Sequence, residues 1–331
     1  MTRYILTRVL GAVLMLVVTS IVVFGIFFIV PRLAGQTTDQ LAAQYVAKDP
    51  SPEEIAAIKQ KLGLDQPVVI QYGRFVKGIV VGREFQFGPD TEYCPPPCFG
   101  YSFKTQRPVW PDLVDRLSVT FSLAIGASII WLVAGVSIGV LSALRRGTFF
   151  DRFAMIIALA GVSLPIFFTG LLSLALFKPT GVNYVPFTDS PFEWAYNLLL
   201  PWITLAFLYA ALYARLTRAG MLETMSQDFI RTARAKGLPE RTVTTKHALR
   251  ATLTPILTLF GLDIGLLLGG AVLTESTFSL PGIGRYAIDA IGNNDLPQVL
   301  GVTMLAAFFI VVANLIVDIL YAVADPRVRL S

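Results

Sequence analysis

The sequence predicts an all-α integral membrane protein of six transmembrane helices, with both termini in the cytoplasm and a small extracytoplasmic region between helices 1 and 2. Three observations predict it. Hydrophobic residues make up 54% of the chain and charged residues 15%, whereas about a quarter of a soluble protein is charged. Charge-free apolar runs occupy 9–30, 119–144, 153–177, 194–214, 251–273 (interrupted only by Asp263) and 299–317, each near the roughly 20 residues that a helix needs to cross the hydrocarbon. With the N-terminus inside, fifteen Lys and Arg fall in inner segments and only Lys178 and Arg285 in the short outer loops, the bias that fixes topology. The net charge of +5 is therefore local to the inner face and does not indicate a nucleic-acid partner.

The first run follows Arg3 and Arg8, and its 22 residues exceed the roughly 7–15 of a signal-peptide core, so it is expected to stay as an anchor. Residues 1–30 form this segment, 31–117 the extracytoplasmic region and 118–331 a five-helix core. In the outer region Ser51-Pro52-Glu53-Glu54 supplies an N-cap, a proline at the first helical position and early acids. Ile55, Ile58 and Leu62 at helical spacing follow, with Gly63 as the stop, so one amphipathic helix is expected here. Farther on, Cys94 and Cys98 enclose three prolines. In polyproline II geometry their α-carbons would stand about 12 Å apart, and a disulfide needs less than about 7 Å, so pairing requires a turn or a cis prolyl bond. A structural disulfide is expected at an outer location with no other cysteine available; two free thiols are the alternative.

Gly135 and Gly139 in the second run, and Gly261, Gly265 and Gly269 in the fifth, make faces where another helix can approach closely, either inside the six-helix unit or in a second subunit. Pro165 in the third run implies a kink or a freed carbonyl. Asp263 is the sole acid in the middle of a run. Such groups are costly at membrane depth and suggest function, against the plainer alternative of a satisfied contact to a neighbouring helix. Asp318, one turn after Asn314, lies near the inner end of the last run and is given no chemistry.

Signals of catalysis are few, and an intramembrane protease is the poorest reading for want of a placed histidine. No Gly-Lys pair occurs, so the chain has no Walker-type nucleotide loop. A single histidine, His247, rules out multi-histidine metal sites.

The loop 215–250 concentrates the basic residues. Ser226 is expected to cap a short helix running through Ala235, Gly237 to supply a left-handed stop, and Pro239 to start a second helix toward the fifth run. Arg231 and Arg234 fall on neighbouring turns, while Ala233 and Ala235 offer small side chains to an approaching surface. Composition alone leaves a protein partner and anionic lipid headgroups equally open.

Arg231-Thr232-Ala233, followed after three residues by Gly237, resembles the cytoplasmic "EAA" loop of ATP-binding-cassette importer permeases. The form RTARAKGL…HALR is similar to the oligopeptide, dipeptide and nickel branch. RYILTRVL, KLGLDQPVVIQYGRF, TESTFSLPGIGRYAIDAI and NLIVDILYAVADPRVRL extend the resemblance over nearly the whole chain, and the long outer segment resembles the first of two paired permeases. Arg231 replaces the motif's glutamate, His247 its isoleucine and Arg250 its proline, with Pro255 later.

The resemblance implies a transport subunit, not an enzyme. It would pair with a second homologous permease in membrane lipid, bind two cytoplasmic ATPases that carry ATP and magnesium, and receive peptide from an extracytoplasmic solute-binding protein, with no cofactor of its own. It further implies that Arg231, Thr232, Ala233, Arg234, Ala235, Gly237 and Leu238 dock on an ATPase, Ala233 and Gly237 being sterically critical. Pro281, Gly282, Gly284, Arg285 and Tyr286 would face the binding protein. A stand-alone secondary transporter or channel is the competing class, disfavoured by the few intramembrane charges and the absence of an evident inverted repeat.

Overall fold

The computed structural model describes residues 2–43, 51–87, 90–178 and 181–324. Among these residues five helices are long and apolar enough to cross a membrane, or six if one sharply bent pair counts as a single span. The first is α1 (Thr2–Phe28), with a turn of helix after it, α2 (Val30–Leu33). The segment between α2 and α6 comprises α3 (Thr38–Ala43), α4 (Pro52–Leu62), α5 (Val68–Val81), the antiparallel strands β1 (Arg83–Phe87) and β2 (Asp90–Cys94), and the two-residue pair β3 (Tyr101–Ser102) and β4 (Arg107–Pro108). Then come α6 (Val109–Leu144), α7 (Phe149–Ser163), α8 (Ile166–Phe177) and α9 (Pro191–Met225). The basic loop holds α10 (Asp228–Ala235) and α11 (Glu240–Thr242), which passes through a π-helical turn (Val243–Ala248) into α12 (Leu249–Leu268). Short helices α13 (Val272–Thr277) and α14 (Ile283–Gly292) lead to α15 (Leu296–Ala324).

Several apolar runs depart from the expectation in bounds or in course. The run containing Pro165 is two helices meeting at 104°, because proline has no N–H to continue the ladder and holds Leu164 in an extended conformation. The fourth helix continues well past Ala214 to Met225, carrying polar residues beyond the apolar core. The fifth stops at Leu268 instead of Leu273: Gly269 and Gly270 follow, and Gly270 at φ +126° cannot propagate a right-handed helix.

The capped helix of the segment between α2 and α6 forms as its sequence dictates. Ser51 Oγ accepts from the Glu54 N–H at 3.3 Å while the Glu54 carboxylate accepts from the Ser51 N–H at 2.8 Å, a reciprocal capping box, and Gly63 ends the helix in the left-handed region. Cys94 and Cys98 form the disulfide, with α-carbons 5.6 Å apart and the Pro96-Pro97 bond cis. Both sulfurs are buried with Phe85 and Tyr101. The region is tied to the core through the Ser102 hydroxyl, which donates to the buried Asp295 carboxylate just before α15.

The main core lies where α6, α9 and α12 meet, around Leu123, Trp131, Leu205 and Tyr213. The glycine faces are used inside this subunit. A Cβ on Gly265 would stand 2.6 Å from the Ala313 Cβ of α15, and one on Gly269 2.9 Å from that of Ala306; Gly261 faces Val317 in the same way. Gly135 and Gly139 face Tyr213 and Thr217 of α9. Arg8 pairs with Asp318 at 3.0 Å, which brings the start of α1 and the end of α15 together. Arg327 and Arg329, used for the topology expectation, lie outside the described residues.

Candidate coupling site

The basic loop folds as a helix, a break and a helix, but its start differs from the expectation. Because α9 runs on to Met225, Ser226 becomes its C-cap, donating its hydroxyl to the Glu223 carbonyl at 2.7 Å. The N-cap of α10 is Gln227, whose side chain makes no capping bond. At the other end Gly237 adopts φ +74°. Its N–H bonds the Arg234 carbonyl at 2.9 Å and that of Leu238 bonds Ala233 at 3.4 Å, the paired closure that a left-handed residue permits. Across the break Arg234 grips Glu240 with two hydrogen bonds, at 2.6 and 3.1 Å. Both groups are largely exposed, so this brace sets the angle of the turn more than it adds stability.

The two faces of α10 do different things. Ile230 and Ala233 are buried against Ala143 of α6, Met221 of α9, and Val243 and Ala248 leading into α12, with Val140, Leu222, Met225 and Leu249 around them. Ile230 is wholly buried, a contribution of about 1.5–3 kcal/mol. The opposite face presents Arg231, Thr232, Ala235 and Lys236, flanked by Phe229 and Leu238, which are 43% and 38% exposed. Ala233, expected to admit a partner's surface, instead packs on its own subunit, so its small size serves the attachment of α10 to three spans. Arg231 pairs within the helix with Asp228 at 3.3 Å.

A second cluster surrounds a buried acid in α13. Glu275 of α13 is 0% exposed. One oxygen accepts from the Thr120 hydroxyl of α6 at 2.8 Å and the other from the Arg285 N–H at 3.0 Å, while the Thr120 oxygen accepts from the Ile283 N–H at 2.9 Å. Burial pushes the Glu275 carboxyl above its ordinary range, and these hydrogen bonds oppose the shift. Gly282 is what lets the loop close over this acid: a Cβ there would lie 2.3–2.5 Å from the carboxylate. Gly284 makes an equally close backbone approach to Val272.

Of the residues expected to face a binding protein, Gly282, Gly284 and Tyr286 are buried: Gly282 lies on the Glu275 carboxylate, Gly284 on Val272, and Tyr286 packs with Val109, Leu113 and Leu305. Pro281 is exposed and Arg285 partly so. Tyr286 packs under Arg116, whose guanidinium lies 4.3 Å from the ring centre. Sequence reasoning passed over Glu275; the signal available was an acid in a short segment between an apolar run and PGIG. Among the described residues no three His, Cys, Asp or Glu side chains gather to hold a metal.

Comparison with known proteins agrees with this architecture. Residues 135–330 match the family described as binding-protein-dependent transport system inner membrane component, and residues 1–124 match the corresponding N-terminal family. A putative peptide transport system permease protein of Brucella abortus is 40% identical over 334 residues, covering 99% of each chain. The dipeptide transport system permease protein DppB of Alkalihalophilus pseudofirmus is 35% identical, over 99% of this chain and 100% of that one. Its namesake in Escherichia coli K12 is 36% identical over 84% and 86%. This chain belongs to the family of binding-protein-dependent transport system inner membrane components: it is a multi-pass permease subunit of an ATP-binding-cassette importer in the inner membrane, not itself an enzyme.

Proposed function

We propose that this subunit carries peptides across the cytoplasmic membrane on six spans with cytoplasmic termini, driven through α10 by ATP hydrolysis in two ATPases bound beneath it. A second, homologous permease completes the pathway, and a solute-binding protein loads it from outside. The observation that carries the reading is the division of α10 into an inward face locked to α6, α9 and the start of α12 and an outward face of cations with two exposed apolar side chains. Such a face suits a groove in another protein: Phe229 and the arginines are of the kinds enriched at interfaces, with Leu238 an apolar contact beside them, and the locked side transmits its displacement to three spans together. The names of the relatives support peptide as cargo. The pairing of Arg8 with Asp318 supports termini on one side, and the inner-loop cations support the cytoplasmic side.

On this reading the nucleotide and magnesium belong to the ATPases. Docking does work only because the ATPase pair binds one conformation of the permease better than another. The test is reconstitution of both permeases, the ATPases and the binding protein in proteoliposomes with a radiolabelled dipeptide. Uptake is expected only with ATP and loaded binding protein together. Uptake by the permease alone down a gradient would place the chain among secondary carriers.

A further inference from the structure

We propose that Asp263, with the aromatic side chains beside it, forms a subsite for the ammonium group of the cargo as it crosses; this rests on the peptide reading above. Asp263 lies well inside α12, between buried Ile256 and Leu267 on one flank and exposed Leu259 and Leu266 on the other. One carboxylate oxygen accepts from the Tyr213 hydroxyl of α9 at 2.7 Å. Among the described residues no cation pairs with the carboxylate and its other oxygen accepts no hydrogen bond. Beside it Trp131 stacks on Tyr209 with ring centres 4.6 Å apart.

A carboxylate at this depth does not face lipid tails; it faces protein or a water-filled path. Its second oxygen, together with the face of partly buried Tyr209 that Trp131 does not cover, presents what an alkylammonium needs: a negative oxygen and aromatic π-density. A single carboxylate already holding one neutral donor gives weak, short-lived neutralisation, which suits a site that cargo must leave. The charge is also the only one placed mid-span, so cargo of very different side chains would share it through the one group every unmodified peptide carries, its N-terminal amine.

The test uses the assembled complex in proteoliposomes with saturating loaded binding protein, measuring dipeptide uptake and ATP hydrolysis in parallel. D263N is expected to lower uptake roughly tenfold, the size of effect of losing one charged hydrogen bond, while stimulated hydrolysis stays within about twofold. D263E is expected to restore uptake. Unchanged uptake in D263N overturns the subsite. So does an equal fall in uptake and hydrolysis, or loss of the second permease from the purified complex, since Asp263 would then be an assembly contact. Failure of the wild-type complex to import any peptide would instead remove the peptide reading, and the subsite with it.

Discussion

Replacing Phe229 and Leu238 together by aspartate is expected to leave the permease folded and in the membrane while lowering stimulated ATP hydrolysis and uptake by about 30-fold, the effect of losing roughly 2 kcal/mol of anchoring. Both residues are partly exposed in the isolated subunit, so a carboxylate at either position can reach solvent. Ala233→Glu serves as the contrast. Ala233 is only 6% exposed within the cluster that holds α10 to the spans, and an added carboxylate there is buried without a partner. That variant should lose coupling too, but with reduced thermal stability and increased protease cleavage in 226–250. Equal melting temperatures for the double aspartate variant and wild type, alongside lost hydrolysis, separate a docking surface from a structural one.

The second large effect is expected at the Glu275 cluster. Glu275→Ala removes the acceptor of the Thr120 hydroxyl and of the Arg285 N–H and should destabilise the subunit by about 2–6 kcal/mol, each stranded buried donor costing about 1–3. Gly282→Val should be comparable, because its Cβ would overlap the Glu275 carboxylate and the loop could close only by expelling a buried acid. Glu275→Gln keeps an acceptor and should cost least. It also carries a pH signature. Burial raises the native value of the carboxyl above the 4.5 of the free group, so the folded state binds the proton more tightly than the unfolded one. Stability is then greatest below 4.5 and declines as pH rises through the raised native value. Melting of purified wild type should show this decline and the Gln variant a smaller one, since burial also raises the Asp295 carboxyl. A flat wild-type profile in that window would mean that the acid is ionised when folded.

Much of the scaffold was legible because it is written in local chemistry. Ser51 and Glu54 cap a helix whatever surrounds them, and Gly237 ends one. The apolar runs must span or be buried, and a five-residue cysteine loop restricts its own partners. The misplacements share a different cause. Apolar composition locates the run through Pro165 but is blind to direction, and a 104° turn leaves hydropathy unchanged. Ser226 suits a cap from either side; only the extra length of α9, set by packing, decides which helix it ends.

Ala233 and Ala235 are equivalent by composition, and they face opposite ways because Ile230 fixes the rotation of α10 on the bundle. Gly282 and Gly284 look like exposed turn glycines, yet their role depends on Glu275 and Val272, residues that only the tertiary fold brings beneath them. The glycine face of the fifth span was recognisable as a packing surface, while its partner, α15 of the same chain, was not.

The most direct measurement concerns Ala235, on the outward face of α10. Cys94 and Cys98 are joined and the chain has no other cysteine, so Ala235→Cys supplies a single reactive thiol. Its rate of modification by a membrane-impermeant maleimide is to be compared in the isolated permease and in the ATPase-bound, transport-competent complex. The account predicts rapid labelling in the first and strong protection in the second. Equal labelling in a complex that still imports peptide would show that α10 is not what the ATPases hold.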